Sequence, residues 1–277
     1  MKIFLSTNMF PSIKSPHLGV FIKCHVDLMK TDYNIENIII CESQKTRTIF
    51  EKIKKYIKFF FKLIYFSFKK RCDLIHAHYS FPTGFLTIIV KIITMKKMIL
   101  TVHGSDVESD KFKNKILFFL NKITFLCSDI IITVSQELKN KIIMDYNINE
   151  KNINVIDMGF NENIFYPNKK DFLDNYLNIV FIGRLIDIKG LNILIESINL
   201  LDEKLKNKIR CQILGDGSSK QQYLNLIDKY KLNRNFIFKG IKKQNEIANI
   251  LRKSNVVVMP SIREGFGLVA LEALACG

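Results

Sequence analysis

The sequence predicts an α/β protein built from two doubly wound parallel sheets. Short apolar runs alternate with longer amphipathic stretches along the chain, which is the pattern of parallel strands joined by crossover helices. A length of 277 residues fits two domains at roughly 100–200 residues each. A polar segment over 161–176 separates six apolar runs from four. We therefore expect an N-terminal domain over 1–165 and a C-terminal domain over 166–277.

The predicted strands follow the short apolar runs, and helices fill the intervals. In the first domain we expect strands at Ile3–Ser6, Ile38–Cys41, Leu74–Ala77, Ile99–Val102, Ile130–Val134 and Asn154–Ile156. In the second we expect them at Ile179–Ile182, Gln212–Leu214, Phe236–Phe238 and Val256–Met259. Apolar residues at helical spacing predict helices over Asn114–Cys127, Leu191–Leu201, Lys220–Leu232 and Asn245–Lys253.

The composition excludes several classes of protein. With 48% apolar residues, 12 Gly and 5 Pro, the chain is neither collagen-like nor broadly disordered. Its six cysteines are scattered without a C-x-x-C pair, which disfavours a disulfide framework and favours a reduced cytoplasmic compartment. We expect no signal peptide and no transmembrane helix, because the apolar runs are too short or too polar.

Much of the positive charge lies in one segment. The chain has 42 Lys+Arg against 26 Asp+Glu, a formal net charge of +16, and residues 45–71 alone hold ten basic residues and one acid. Apolar and aromatic side chains recur there at helical spacing. The segment is either a basic helix on an anionic membrane surface or a helix packed on its own sheet with solvated lysines. Nucleic-acid binding is not expected, since no nucleic-acid module is visible.

Two basic residues follow the first strand of the second domain. Arg184 comes directly after Gly183, and Lys189 directly precedes Gly190 and a predicted helix. An Arg and a Lys at the carboxyl end of a parallel strand can bind a diphosphate. Basic residues in such loops are also commonly just solvated. The assignment of this pair to diphosphate binding therefore depends on a second cluster of residues.

That second cluster follows the last predicted strand. Residues 260–268 read P-S-I-R-E-G-F-G-L and open a helix. The two glycines allow the backbone to approach a ligand closely, and free amides at a helix N-terminus face an anion. The pattern predicts an anion site formed by the backbone of Gly265, Phe266, Gly267 and Leu268.

Two glutamates accompany this loop. Glu264 lies within it, and Glu272 is expected about two turns into the helix. Glu264 is explained either by ligand contact or as an acid that favours the helix dipole. Glu272 has apolar neighbours, and a buried acid without a partner is costly, so we expect it to serve a ligand.

Together these motifs resemble the family 4 retaining glycosyltransferases, which have the GT-B fold of two Rossmann-like domains facing a cleft. The likeness rests on G-R…K-G over 183–190 and on E-G-F-G…E over 264–272. Gly-Asp-Gly at 215–217 is similar to the family's G-D-G turn. Residues 157–167 resemble its interdomain segment, with a Met and a Phe as departures.

The resemblance implies a role for each donor-side residue. Arg184 and Lys189 would bind the diphosphate of a nucleotide sugar, together with the amides of 265–268. Glu264 would contact the donor-sugar hydroxyls as a catalytic residue, and Glu272 the ribose hydroxyls. The implied reaction retains the anomeric configuration.

The first domain supplies the other side of the expected site. His103, in T-V-H-G-S-D over 101–106, resembles the family's histidine at the reaction centre and is predicted to be catalytic, since a strand-end His can exchange hydrogen bonds near neutral pH. Asp106 and His78 are predicted on the acceptor side, and His76 is predicted to be structural. Gly19, in P-H-L-G over 16–19, resembles a glycine loop near the donor phosphate, although an ordinary tight turn explains it too.

No metal and no cofactor are expected besides the nucleotide-sugar substrate. The sequence has no D-x-D triplet and no His/Cys/carboxylate set with ligand spacing, which favours transfer with the leaving-group charge met by basic residues and amides. The acceptor is expected to be a saccharide or lipid-linked saccharide, as in surface-polysaccharide assembly. The protein is then expected in the cytoplasm, peripheral to the inner face of the membrane.

Competing functions remain open at this point. A dinucleotide oxidoreductase is disfavoured, since no G-x-G-x-x-G follows the first strand. Four strands are visible in a second domain that would hold about six, so we expect that domain to be incomplete, with weak or absent turnover. A non-catalytic truncated remnant and a basic membrane-surface protein are therefore the alternatives.

Overall fold

A computed structural model describes residues 1–12, 18–41, 48–104, 106–107, 115–168 and 175–277. The chain divides into two compact units, Met1–Met158 and Gly159–Gly277, which are described separately. The predicted division after residue 165 was too late, because Phe165 is buried in the second unit against Leu251 and Cys276. The predicted positions 16–17, 45–47, 105, 114 and 169–174 lie outside the described residues.

The first unit contains a six-stranded parallel sheet. Its strands are β1 (Lys2–Thr7), β2 (Glu36–Cys41), β3 (Leu74–His78), β4 (Met98–Val102), β5 (Ile130–Thr133) and β6 (Ile153–Val155). Their spatial order is β2-β1-β3-β4-β5-β6. The order reverses beside β1, and ligands of open α/β sheets bind at the carboxyl ends of strands where the order reverses.

Five helices of the first unit connect these strands. They are α1 (Val20–Tyr33), α2 (Ile49–Lys69), α3 (Phe85–Thr94), α4 (Lys115–Cys127) and α5 (Gln136–Tyr146). Helix α2 covers most of the basic segment and begins with a capping box, in which the amide of Glu51 donates to the hydroxyl of Thr48. Phe59 and Leu63 bury one face of α2.

The second unit contains a four-stranded parallel sheet. Its strands are β7 (Leu177–Ile182), β8 (Ile209–Leu214), β9 (Phe236–Gly240) and β10 (Val256–Val257), in the spatial order β10-β7-β8-β9. This is the order of the first four strands of a Rossmann sheet, and its switch point lies between β7 and β10. The last strand is two residues long, shorter than the predicted Val256–Met259.

The helices of the second unit are α6 (Leu191–Asn199), α7 (Glu203–Lys206), α8 (Lys220–Lys229), α9 (Gln244–Arg252) and α10 (Leu268–Ala275). Phe181, Ile195, Ile213 and Tyr223 form part of the core between the sheet and its helices. Each predicted strand has a counterpart, so the prediction of two parallel α/β sheets is confirmed. Among the described helices, none combines the length and apolar character needed to span a bilayer.

Candidate functional site

A lysine and a glutamate join the loops that follow β7 and β10. Nζ of Lys189 donates a hydrogen bond to Oε1 of Glu264, and the two side chains form an ion pair. The same oxygen accepts a hydrogen bond from the hydroxyl of Ser261 at 2.8 Å. The side chains of the pair are 20% and 31% exposed. Two residues predicted to bind different parts of a donor therefore occupy one partly shielded site.

The backbones of these two loops are also in contact. The amide of Ile262 donates to the carbonyl of Ile188 at 2.9 Å. Gly190 has a φ of +70°, and a Cβ there would lie 2.1 Å from the carbonyl oxygen of Pro260. Only glycine fits such a close approach in this conformation. The glycine after Lys189 thus holds the two loops together.

The predicted G-D-G turn after β8 adds a third loop. A Cβ on Gly215 would lie 1.9 Å from the carbonyl oxygen of Gly183, and one on Gly217 would lie 2.3 Å from that of Leu185. The amide of Leu185 donates to the carbonyl of Asp216 at 3.1 Å. The turn therefore packs directly beneath the loop that carries the predicted diphosphate-binding residues.

The other predicted donor residues lie in the same loops. Arg184 follows β7 with an exposed side chain. Gly265, Phe266 and Leu268 are half-buried, and Gly267 has a φ of +80° at the start of α10. The structure therefore brings the predicted donor cluster together at the switch point of the second sheet.

Glu272 is buried at 7% exposure. It was expected two turns into its helix, but α10 begins at Leu268, so Glu272 lies one turn in. Burial raises the pKa of its carboxyl to about 7. Carboxyls with strongly raised pKa values occur preferentially at functional sites.

In the first unit, His103 follows β4 and contacts His78 at the end of β3. Nε2 of His103 and Nδ1 of His78 share a hydrogen bond of 3.1 Å, with the rings stacked. Burial lowers the pKa of His103 to about 3 and that of His78 well below its ordinary value, so both are neutral at pH 7. At 2% exposure, His78 lies behind His103, and its acceptor-side role stays a prediction.

Asp106 holds the backbone around His103. One carboxylate oxygen accepts from the amide of Ser80 at 2.7 Å, and the other accepts from the amide of His103 at 3.2 Å. Burial raises the pKa of Asp106, and these hydrogen bonds oppose the rise. Asp106 therefore positions the backbone around His103, and its acceptor-side role stays a prediction.

Gly19 lies next to the same group. Its φ is +66°, and a Cβ there would lie 2.4 Å from the carbonyl oxygen of Met9. Two residues on, the ring of Phe21 lies 4.9 Å from that of His103. The close turn therefore explains the glycine structurally and places the start of α1 beside His103.

The structure also brings together a set of histidines that the sequence spacing did not indicate. One ligand atom from each of His25, His76 and His78 lies within 4.8 Å of the others. The prediction that no metal-ligand set is present overlooked them, because His25 is far in sequence from the other two. The available signal was topological: His25 lies on the helix after β1, and β1 pairs with β3, which carries the other two.

Two family descriptions match the chain. "Glycosyltransferase Family 4" matches residues 29–163 and "Glycosyl transferases group 1" matches residues 163–277. An uncharacterized glycosyltransferase of Methanocaldococcus jannaschii is 37% identical over 204 residues, covering 74% of this chain and 54% of the relative. The capsular polysaccharide biosynthesis glycosyltransferase CapM of Staphylococcus aureus is 31% identical, covering 69% and 53%. The chain spans about half the length of these relatives.

Solved structures agree in fold. Anabaena HepE in complex with UDP and glucose has a TM-score of 0.75 at 17% identity, covering 100% of this chain and 78% of that one. Sucrose-phosphate synthase from Thermosynechococcus elongatus has a TM-score of 0.76 at 17% identity, with 100% and 79% covered. These are GT-B proteins, so the predicted fold class is confirmed.

Proposed function

The chain belongs to the family 4 glycosyltransferases, and from this membership we propose that it moves a sugar from a nucleotide-diphosphate-sugar to a saccharide or lipid-linked acceptor. The second unit would bind the donor and the first the acceptor. CapM, a relative, is a capsular polysaccharide biosynthesis enzyme, which supports an acceptor of the surface-polysaccharide class.

The observation that carries the proposal is the pairing of Lys189 with Glu264 across β7 and β10. Carboxyl ends of strands at a switch point are where open α/β sheets bind nucleotides. A lysine there supplies positive charge for a diphosphate, and a carboxylate beside it can accept hydrogen bonds from sugar hydroxyls. A nucleotide-sugar donor carries both a diphosphate and sugar hydroxyls. It therefore fits a site in which the Lys189 cation and the Glu264 anion lie side by side.

We further propose a role for each of the donor-side residues. Lys189 and the exposed Arg184 would neutralise the charge that develops on the departing diphosphate, assisted by the amides of 265–268. This accounts for the leaving group with protein residues alone, so we propose a metal-independent transfer. Glu272 would accept hydrogen bonds from the ribose, and retention of configuration is proposed from family membership.

On the acceptor side we propose His103 as the catalytic residue of the first unit. Its ring is neutral and held by His78. A neutral imidazole can donate or accept a hydrogen bond, and its partner decides which nitrogen carries the proton. His103 would therefore orient a reacting hydroxyl, while Asp106 keeps its backbone in place.

The proposal is tested by nucleotide binding to the 277-residue chain. Titrations with UDP, GDP, ADP and CDP should show one that binds and raises the unfolding temperature, since a ligand at 100 times its Kd adds about 2.7 kcal/mol of stability. A nucleotide sugar that carries the same nucleotide should then bind more tightly than the nucleotide alone. UDP-glucose is one of the nucleotide sugars to be tried. If no nucleoside diphosphate binds, the donor site is refuted.

We also propose that α2 attaches the protein to an anionic membrane surface on its cytoplasmic side. One face of α2 is buried, yet a second row of large apolar side chains is exposed. They recur every three or four residues, as Phe50, Ile53, Ile57, Phe61, Tyr65 and Phe68. Exposed Lys54 and Lys58 lie next to this row. An exposed apolar row beside basic residues is the pattern of a helix lying in a membrane interface.

The membrane proposal predicts separate losses for apolar and basic substitutions. Phe61→Ser should weaken binding to vesicles about 10–150-fold, because burying such a side chain contributes about 1.5–3 kcal/mol. Lys54→Gln should weaken it about 5-fold on anionic vesicles only, at about 1 kcal/mol per basic residue. Vesicle flotation measures both, and Leu200→Ser, which removes an 84% exposed side chain of the second unit, is the control. Equal binding by all variants would refute the attachment.

A further inference from the structure

We propose that His25, His76 and His78 form a binding site for a zinc-class transition metal ion in the first unit. Their three ligand atoms lie within 4.8 Å of one another. A tetrahedral zinc with Zn–N bonds of about 2.0–2.1 Å separates its ligand nitrogens by about 3.4 Å. The ligand nitrogens therefore need to approach one another by only about 1.4 Å at most.

The two buried rings already make the kind of hydrogen bond that metal-bound histidines make. Nε2 of His76 lies 2.8 Å from the hydroxyl of Thr101, and Nδ1 of His78 lies 3.1 Å from His103. These bonds leave Nδ1 of His76 and Nε2 of His78 for a metal. Metal-bound histidines nearly always use the other nitrogen in such a hydrogen bond, which fixes the ring and its tautomer.

A separate observation points to a ligand at this position. Nε2 of His78 is buried and has no hydrogen-bond partner within the part of the chain that the structure describes. His78 is only 2% exposed, and an unsatisfied polar atom in such a place is destabilising. A metal ion at this position would be bound by the lone pair of Nε2 of His78. The neighbouring rings of His25 and His76 supply the additional ligands that an ion needs.

The chemistry of the ligands selects the class of ion. Imidazole nitrogens suit zinc, copper and nickel, whereas magnesium, calcium and manganese prefer oxygen ligands. Three protein ligands leave a fourth tetrahedral position open to water or another group. His76 and His78 are buried, but His25 is exposed on α1, so an ion can enter from the side of α1.

Metal binding would act on His103 through His78. An ion on Nε2 of His78 keeps the proton of that ring on Nδ1, which must donate to Nε2 of His103. The proton of His103 then lies on its own Nδ1. This consequence for transfer rests on the proposed function, whereas binding of the ion does not.

Titration of the untagged chain with Zn²⁺, and with Co²⁺ as a spectroscopic probe, tests the site. We expect one equivalent to bind tightly. His25→Ala should weaken this binding at least about 100-fold, beyond the 10–100-fold typical of outer-shell substitutions. Thr101→Val, which removes the partner of His76, should weaken it about 10-fold. Lys30→Ala, an exposed substitution on the same helix, should leave it unchanged.

Cysteine thiols are the competing ligands, since none of the six cysteines, all of which lie in the described residues, forms a disulfide. Co²⁺ at the histidine site should give visible d–d bands without the near-ultraviolet thiolate charge-transfer band. His25→Cys should restore tight binding and add that band. Unchanged affinity in His25→Ala, a thiolate band in the natural chain at one equivalent, or no recovery in His25→Cys would each overturn the proposal. Nucleotide titrations report on the second unit and distinguish this outcome from failure of the donor site.

Discussion

Glu272→Gln should be more stable than the natural chain at pH 8 by about 3 kcal/mol, and equally stable near pH 4. Burial raises the pKa of Glu272 from 4.5 to about 7, and each pKa unit corresponds to 1.36 kcal/mol. Between about pH 4.5 and 7 the folded chain holds a proton that the unfolded chain has lost. Stability therefore falls as pH rises through this range. A glutamine carries no charge to bury, so the stability of the variant does not fall in this way over the same pH range.

Urea unfolding from pH 4 to 8.5 measures the effect as the difference between the variant and the natural chain. Glu246→Gln on α9 is the matched control, because hydrogen bonds from the Lys243 amide and Lys242 lower the pKa of Glu246. Neutralising that residue should give no gain at high pH. A difference between Glu272→Gln and the natural chain that does not vary with pH would contradict the assignment.

The same substitution should weaken binding of the nucleotide. A carboxylate that accepts hydrogen bonds from ribose hydroxyls loses charge-assisted bonds worth about 1.5–3 kcal/mol, which corresponds to a roughly 10–150-fold fall in affinity. Gain in stability with loss of binding is the expected signature of a buried functional charge. A variant that is more stable and binds the nucleotide normally would show that Glu272 does not serve the ligand.

Lys189→Gln should lower the affinity for the nucleoside diphosphate by up to about 100-fold. The ammonium of Lys189 is partly shielded, at 20% exposure, so its charge-assisted bond to a phosphate oxygen falls in the range of about 1.5–3 kcal/mol. Isothermal titration of the folded variant measures the loss. Lys242→Gln is the matched control, because Lys242 pairs instead with Glu246 of α9, at 3.0 Å, in the same unit. If both variants bind alike, Lys189 does not contact the diphosphate.

Glu264→Gln should distinguish binding of the diphosphate from binding of the sugar. In the natural chain Glu264 holds the ammonium of Lys189, and neutralising it frees that charge for phosphate. The nucleoside diphosphate should therefore bind equally well or a few-fold more tightly, while the extra affinity contributed by the sugar disappears. Loss of affinity for the diphosphate alone would assign Glu264 to the phosphates instead of the sugar.

Much of the fold and the donor site was predictable because the relevant signals are local. Apolar runs such as Ile179–Ile182 mark strands directly, and a Gly-Arg or Glu-Gly-Phe-Gly sequence after a strand marks its carboxyl end. In a parallel sheet all these ends lie at one edge. Placing Arg184, Lys189 and Glu264 at the same edge of one sheet therefore required only the assignment of strands.

What could not be predicted depends on which strands are neighbours. The ion pair of Lys189 with Glu264 requires β10 to lie beside β7, and the histidine cluster requires β1 to lie beside β3. Neither adjacency is visible in sequence spacing. The contact of the Asp106 carboxylate with the amide of Ser80, on a different loop, could not be predicted for a related reason.

Under the proposed function, the backbone contacts of Gly190, Gly215 and Gly217 constrain how this protein can acquire a new donor preference. Each of these glycines abuts a carbonyl of a neighbouring loop, so a change in the length of one loop must displace the next. Insertions and deletions in the loops at the carboxyl ends of the second sheet would therefore displace all three loops. Libraries that exchange side chains at Ser261, Ile262 and Arg263, while keeping the glycines, leave the frame intact and offer the practical route to altered donors.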